Sequence, residues 1–415
     1  MTFSLIFKVR TLRRDFKGNR ASLLFMLAFF LLLSLKPDVC GFEDKVYSDF
    51  HGPQINKKIL EGIHLLYDER FDEAEKLFLK VIAEYPKKPD GYFYMAMVSW
   101  SRLASGFWSP GTVEEFRKRI DRTTQVARSR IEESNEPDSY DYFFLGGALG
   151  FKGRFELMRG NWLSSFFLAK DAIGSLNTCL NMDPDNKDVM LGIGTFDYYT
   201  AHLSGVLKFL TYLLIHKGNK EEGLRKLQIA ADEATYSETE AKSMLLHIYL
   251  FIEEDFSKAL DLAEGLSKRY DMNLRYHTLR GVCYIRLKRV IRYRDTVYDL
   301  RQRALQVSSV NAAAKWRRRA LYLETVYDLY HGRYFEARSK LQEILSRADP
   351  ENDPAMIAFP LVKMGMSYDL EGEREEAEKY YNQVMDMQNG SGAQFLAKKL
   401  LKQAPPGGND PFLGY

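Results

Sequence analysis

The chain repeats a pattern of small and large apolar residues about every 34 positions, the length of a helix–turn–helix unit. The stretch Ile55–Pro86 sets Gly62, then Ala74, Phe78 and Val81, and closes on Pro86. Phe359–Asn389 restates it: Leu361, Gly365 and Tyr368 are followed by Ala377, Tyr381 and Val384. Small residues let two helices approach closely. Proline ends the second helix because it has no amide hydrogen and disfavours helix in the residue before it. Such a unit cannot bury its apolar face alone. It must stack on neighbours, which confines the chain to an all-α solenoid.

These positions resemble the tetratricopeptide repeat (TPR). The resemblance implies a right-handed superhelix of antiparallel helix pairs that holds another molecule. Asp90–Leu103 keeps the step, with Ala96 where Gly62 stood. Thr112–Glu133 is a charged helix with Val113, Phe116, Ile120, Val126 and Ile131 at near-helical spacing, and it predicts an insertion at about 103–138. Gly146, Gly147, Gly150 and Gly153 recur at helical steps, which predicts close helix contact. A phosphate loop would need a strand before them, and none is patterned there. Ala259, Leu266, Gly281, Tyr284, Ala337, Leu341 and Ile344 mark later units, and Ala393–Gln403 is expected to cap the stack. The repeat domain is read as 41–403 and the tail 404–415 as flexible. The region Leu191–Ala231 is similar to the middle of bacterial exported or membrane-anchored TPR proteins. It resembles the eukaryotic inclusion-body-clearance repeat family more faintly. Neither resemblance implies a catalytic residue.

Residues 1–40 carry seven Lys/Arg against Asp15 and Asp38, a balance of +5 out of a net +3, which leaves −2 for the rest. A near-neutral body argues against a general nucleic-acid binder. Lys8 to Arg20 precede the apolar run Ala21–Leu35, the layout of a secretory signal. The run is shorter than the ~20 residues of a full span, yet no A-x-A site follows, so both a cleaved signal and a retained anchor stay open. Positive charge before the run places the body on the non-cytoplasmic side, in the periplasm or envelope. Cys40 invites lipidation, but Pro37, Asp38 and Val39 depart from a bacterial lipoprotein signal.

No catalytic, cofactor or metal set is patterned. The seven histidines are dispersed, and no H-E-x-x-H, C-x-x-C, G-x-S-x-G or Walker loop occurs. Counted from Asp183, the calcium-loop positions six and twelve hold Asp188 and Gly194, not Gly and Glu. Two features invite a partner. Lys268–Arg319 holds fifteen Lys/Arg against Asp271, Asp295 and Asp299. Its dense parts, Arg286, Lys288, Arg289, Arg292 and Arg294, then Lys315, Arg317, Arg318 and Arg319, read either as a solvated face or as a stripe for an acidic protein segment, anionic lipid or polysaccharide. The second feature is Ala201–Ile215, nearly all apolar. Leu203, Val206, Leu207 and Leu210 would form a buried helix, a partner surface or a membrane contact. The carboxylate clamp of some TPR proteins does not carry over: its positions hold Arg275, Thr278 and Val282, then Val362 and Met366.

The resulting expectation is a non-enzymatic scaffold or adaptor for protein partners in the bacterial cell envelope, attached through its N-terminal segment. The alternatives are a hydrophobic-ligand or lipid carrier built around 196–215, and an enzyme with a dispersed site.

Overall fold

The computed structural model describes residues 53–107, 109–201, 217–387 and 391–405. Among them every regular element is an α-helix. In chain order these are α1 (Pro53–Tyr67), α2 (Phe71–Glu84), α3 (Pro89–Ala104), α4 (Pro110–Glu133), α5 (Ser139–Met158), α6 (Trp162–Met182), α7 (Val189–Ala201), α8 (Lys220–Glu233), α9 (Glu238–Phe251), α10 (Phe256–Arg269), α11 (Leu274–Arg286), α12 (Val290–Gln306), α13 (Val310–Tyr330), α14 (Tyr334–Ser346), α15 (Ala355–Leu370), α16 (Arg374–Asp386) and α17 (Ser391–Lys402). They pack as successive pairs, α1 with α2 through α15 with α16. Each pair rests on the next, and α17 covers α16. The fold is a stack of TPR-like helix pairs.

The second helix of a pair is specified by three buried positions spaced i, i+4, i+7, one face of a helix. They are Ala74, Phe78 and Val81 in α2, Ala172, Leu176 and Cys179 in α6, Ala337, Leu341 and Ile344 in α14, and Ala377, Tyr381 and Val384 in α16. The middle residue reaches a small residue on the first helix. A Cβ on Gly62 would lie 2.3 Å from Phe78, and one on Gly365 would lie 2.4 Å from Tyr381. Gly146 serves the same end in the third pair, where a Cβ would meet Leu176 at 2.7 Å.

The segment 103–138, expected as an insertion, contains the second helix of the second pair. In α4, Phe116, Ile120 and Thr123 are fully buried at the same i, i+4, i+7 spacing. In its last turn Arg130 Nε donates to the buried Asp141 at 2.6 Å. Asp141 in turn completes a capping box with Asp138 at the start of α5. Charge on the outer face hid the shared apolar face in the sequence.

The turns inside the pairs place a residue in the left-handed region. Gly160, Gly332 and Gly372 do so with φ of 86°, 69° and 85°, and Glu69, Glu254 and Lys288 do so with φ of 59°, 54° and 57°. A side chain there costs about 1–2 kcal/mol, partly offset by the lower chain entropy of a non-glycine residue in the unfolded state. Lys288→Gly is therefore expected to stabilise the protein by about 0.5–1 kcal/mol. A lower denaturation midpoint for this variant would contradict the turn assignment.

The stack curls back on itself. Tyr236, before α9, donates to Asn56 of α1 at 2.5 Å. Tyr67 Oη donates to Glu240 of α9 at 2.9 Å, and its carbonyl accepts from Asn273 at 2.7 Å. Asp68 accepts from the Met272 amide at 2.8 Å. The Tyr67 and His64 rings pack on Tyr270. Farther on, a Cβ on Gly106 would touch Ala355 at the start of α15, at 3.0 Å. The first pair therefore lies against the fifth and sixth, and α1 occupies space that an open solenoid would leave empty.

A candidate anion groove lined by first helices

Against α1, the first helices of later pairs present cations. Arg154 of α5 lies 5.2 Å over the Trp100 ring and 3.9 Å from Glu240. His247 of α9 packs on Phe251 with ring centroids 4.9 Å apart, and its buried Nδ1 has no hydrogen-bond partner among the described residues. Burial lowers the His247 pKa to about 3, and the positive fields of Arg275 and Arg154 push the same way. The imidazole is therefore neutral, and the two guanidiniums supply the charge. Arg275 of α11 makes no hydrogen bond or ion pair among the described residues. Beside it, Tyr276 Oη and Ser243 Oγ are 2.5 Å apart. Lys315 of α13 sits 5.7 Å over the Phe107 ring.

The Glu69 carboxylate enters this region from the α1–α2 turn. Withdrawal from water raises the Glu69 pKa to about 6, against the attraction of Arg319, Lys315 and Arg275. A cavity of about 330 Å³ opens beside Glu69, bounded by Phe71, Arg102, Phe107 and Thr112.

The basic stripe read from Lys268–Arg319 is divided by the fold. Arg318 and Arg319 are buried and clamp Asp353: Arg318 Nε and Arg319 Nη2 each donate at 2.8 Å. Arg286 faces inward, 4.1 Å over the Phe256 ring and 3.7 Å from Glu254. Lys288 holds its turn. Arg289, Arg292, Arg294 and Arg317 are exposed. Tyr293, interleaved with them in sequence, is buried and stacks on Tyr327 at 4.4 Å, whereas Tyr298 is exposed. The sequence reading missed Arg154 and took His247 only as one of the dispersed histidines, because the two belong to helices far apart in the chain, whereas Lys315 and Arg275 were counted in the basic run Lys268–Arg319 with no sign that they face one interior. Arg275 was also visible as a departure from the carboxylate clamp.

Cys179 and Cys283 are buried, and burial raises both thiols to about 12, so neither is a nucleophile near neutral pH. Among the described residues no helix is long and apolar enough to cross a membrane. The N-terminal signal with Cys40, the apolar Leu203, Val206, Leu207 and Leu210, and most of the tail lie outside the described residues.

No protein-family model matches the chain. No curated protein matches it either. Solved structures that are similar in helical architecture include the human IFIT1 dimer with m7Gppp-AAAA, at 14% identity, covering 87% of this chain and 84% of that one, with a TM-score of 0.33. A monomeric IFIT1 mutant with Gppp-AAAA is 12% identical, covers 85% of this chain and 88% of that one, and has a TM-score of 0.31. Likeness at this level carries no argument about ligand or activity.

Proposed function

We propose that the chain is a non-enzymatic TPR-like scaffold that holds an acidic protein segment, carried to the bacterial envelope by its N-terminal segment with the body on the non-cytoplasmic side. The observation that supports this most is the convergence of Arg154, Arg275 and Lys315 from three first helices on one interior, with Arg275 unpaired among the described residues. Carboxylates are the natural partners of such guanidiniums, through paired charge-assisted hydrogen bonds. Export rests on the sequence of residues 1–40, and the non-enzymatic reading rests on the lack of a catalytic pattern in the sequence. The exposed Arg289, Arg292, Arg294 and Arg317 add a second, outer attraction that would speed capture at low ionic strength.

A photo-crosslinker at the exposed Tyr298, used in intact envelopes, tests the reading. The expected result is one dominant protein adduct that weakens when Arg289, Arg292 and Arg294 are changed to Glu. Adducts to lipid alone would favour the carrier built around 196–215, and an adduct indifferent to the charge reversal would remove the outer arginines from the account.

A further inference from the structure

Resting on the scaffold reading, we propose that Glu69 is a resident carboxylate on an anion subsite formed by Arg275 and Lys315, and that an acidic peptide segment binds by displacing it. The placement is built into the fold. Asn273 donates to the carbonyl of Tyr67 at 2.7 Å, and the Met272 amide donates to Asp68 at 2.8 Å. These two bonds pin the α1–α2 turn onto the α10–α11 loop, so Glu69 is delivered within two residues of the contact that precedes Arg275.

Glu69 is held there in a left-handed conformation, φ 59°, a position that glycine fills in the turns at 160, 332 and 372 and that Glu254 and Lys288 fill in two others. The carboxylate faces three cations and one anion: Arg275 from α11, Lys315 and Arg319 from α13, and Asp353 from the α14–α15 loop. It forms no hydrogen bond or ion pair with any of them. Arg319 is committed to Asp353, which leaves Arg275 and Lys315 for a ligand. Burial works against the Glu69 anion even with these cations near, so the resident charge is poorly satisfied. A peptide carboxylate, free of the turn, can meet Arg275 in the bidentate geometry that Glu69 does not reach. The 330 Å³ cavity beside Glu69 gives the displaced side chain somewhere to go.

The acidic occupant is favoured over a nucleic acid by the lining itself. Asp68, Glu240 and Asp353 stand among the cations. Separate peptide carboxylates tolerate that alternation, whereas a phosphate backbone is drawn by a continuous basic track.

The test uses the whole chain and a fluorescent oligoglutamate peptide, with anisotropy read at low salt. Glu69→Gln removes the resident charge and Glu69→Gly also relieves the turn. Both are expected to bind the peptide at least about tenfold more tightly than the parent, since a competitor inside the site lowers apparent affinity by the fraction of time it occupies it. Adding Arg275→Gln to Glu69→Gln should abolish the gain, and thermal melts confirm that each variant is folded. Equal affinity of parent and Glu69→Gln, with binding lost on reversal of Arg289, Arg292 and Arg294, overturns the resident-carboxylate inference and leaves the scaffold reading standing on its outer surface. No peptide binding by any folded variant overturns both. An oligouridylate that binds Glu69→Gln more tightly than the peptide overturns the class of occupant.

Discussion

Asp353→Ala is expected to cost about 3–5 kcal/mol, the range for removing one partner from a buried ionic cluster. Asp353, Arg318 and Arg319 are 3%, 8% and 6% exposed, so water cannot replace the lost carboxylate. One oxygen takes Arg318 Nε at 2.8 Å and Arg319 Nη1 at 3.2 Å, and the other takes Arg319 Nη2 at 2.8 Å. The Arg318 guanidinium would be left with its longer contacts to the Arg347 carbonyl, 3.3 Å, and to Asp349, 3.9 Å. The loss is comparable with the ~5–15 kcal/mol that holds a whole domain. In a solenoid it acts locally, because each pair is stabilised mainly by its neighbours. Asp353 lies in the connection between α14 and α15, so protease cleavage of that connection should accelerate before the rest of the stack opens. Asp353→Asn, which keeps shape and some hydrogen bonding, should cost less. A loss under about 1 kcal/mol for Asp353→Ala in urea unfolding would show that the cluster does not hold the two ends of this joint together.

Phe78→Ala should cost about 3–5 kcal/mol, because a fully buried ring leaves a cavity in α2 that its neighbours fill only in part. Gly62→Ala should cost about 1–3 kcal/mol for the opposite reason: its methyl carbon would stand 2.3 Å from the same ring. Combining them relieves the clash, so the double variant is expected to lose less than the sum, with a coupling of about 0.5–3 kcal/mol. Strict additivity of the three unfolding energies would mean that the two residues do not oppose each other as the geometry requires. The consequence reaches the groove, since loosening the first pair frees α1 and, with it, Glu69.

The repeat was legible because each contact between paired helices is short in sequence. Ala74, Phe78 and Val81 lie on one face of one helix and meet Gly62 of the helix before it, so pattern and packing coincide. Where the outer face of a helix is heavily charged, as in α4, the pattern was obscured although Phe116, Ile120 and Thr123 obey it. The basic run Lys268–Arg319 shows the complementary limit. Arg318 and Arg317 are adjacent in the chain and differ completely in setting: the first is buried on Asp353, the second is exposed. On a helix, neighbours point about 100° apart, and only the partner helix decides which of them is covered.

By itself the sequence determined the helical class, the pairing of adjacent helices and the small residues at their contacts, because these follow from periodicity and from steric limits within a few dozen residues. The tertiary structure alone decided that α1 lies against α9 and the loops around α10, that Glu69 comes within the field of Arg275 and Lys315, and that Arg318 and Arg319 spend their charge on Asp353. Those contacts join residues up to 206 positions apart, and they depend on the curvature accumulated over the whole stack, which no local pattern encodes.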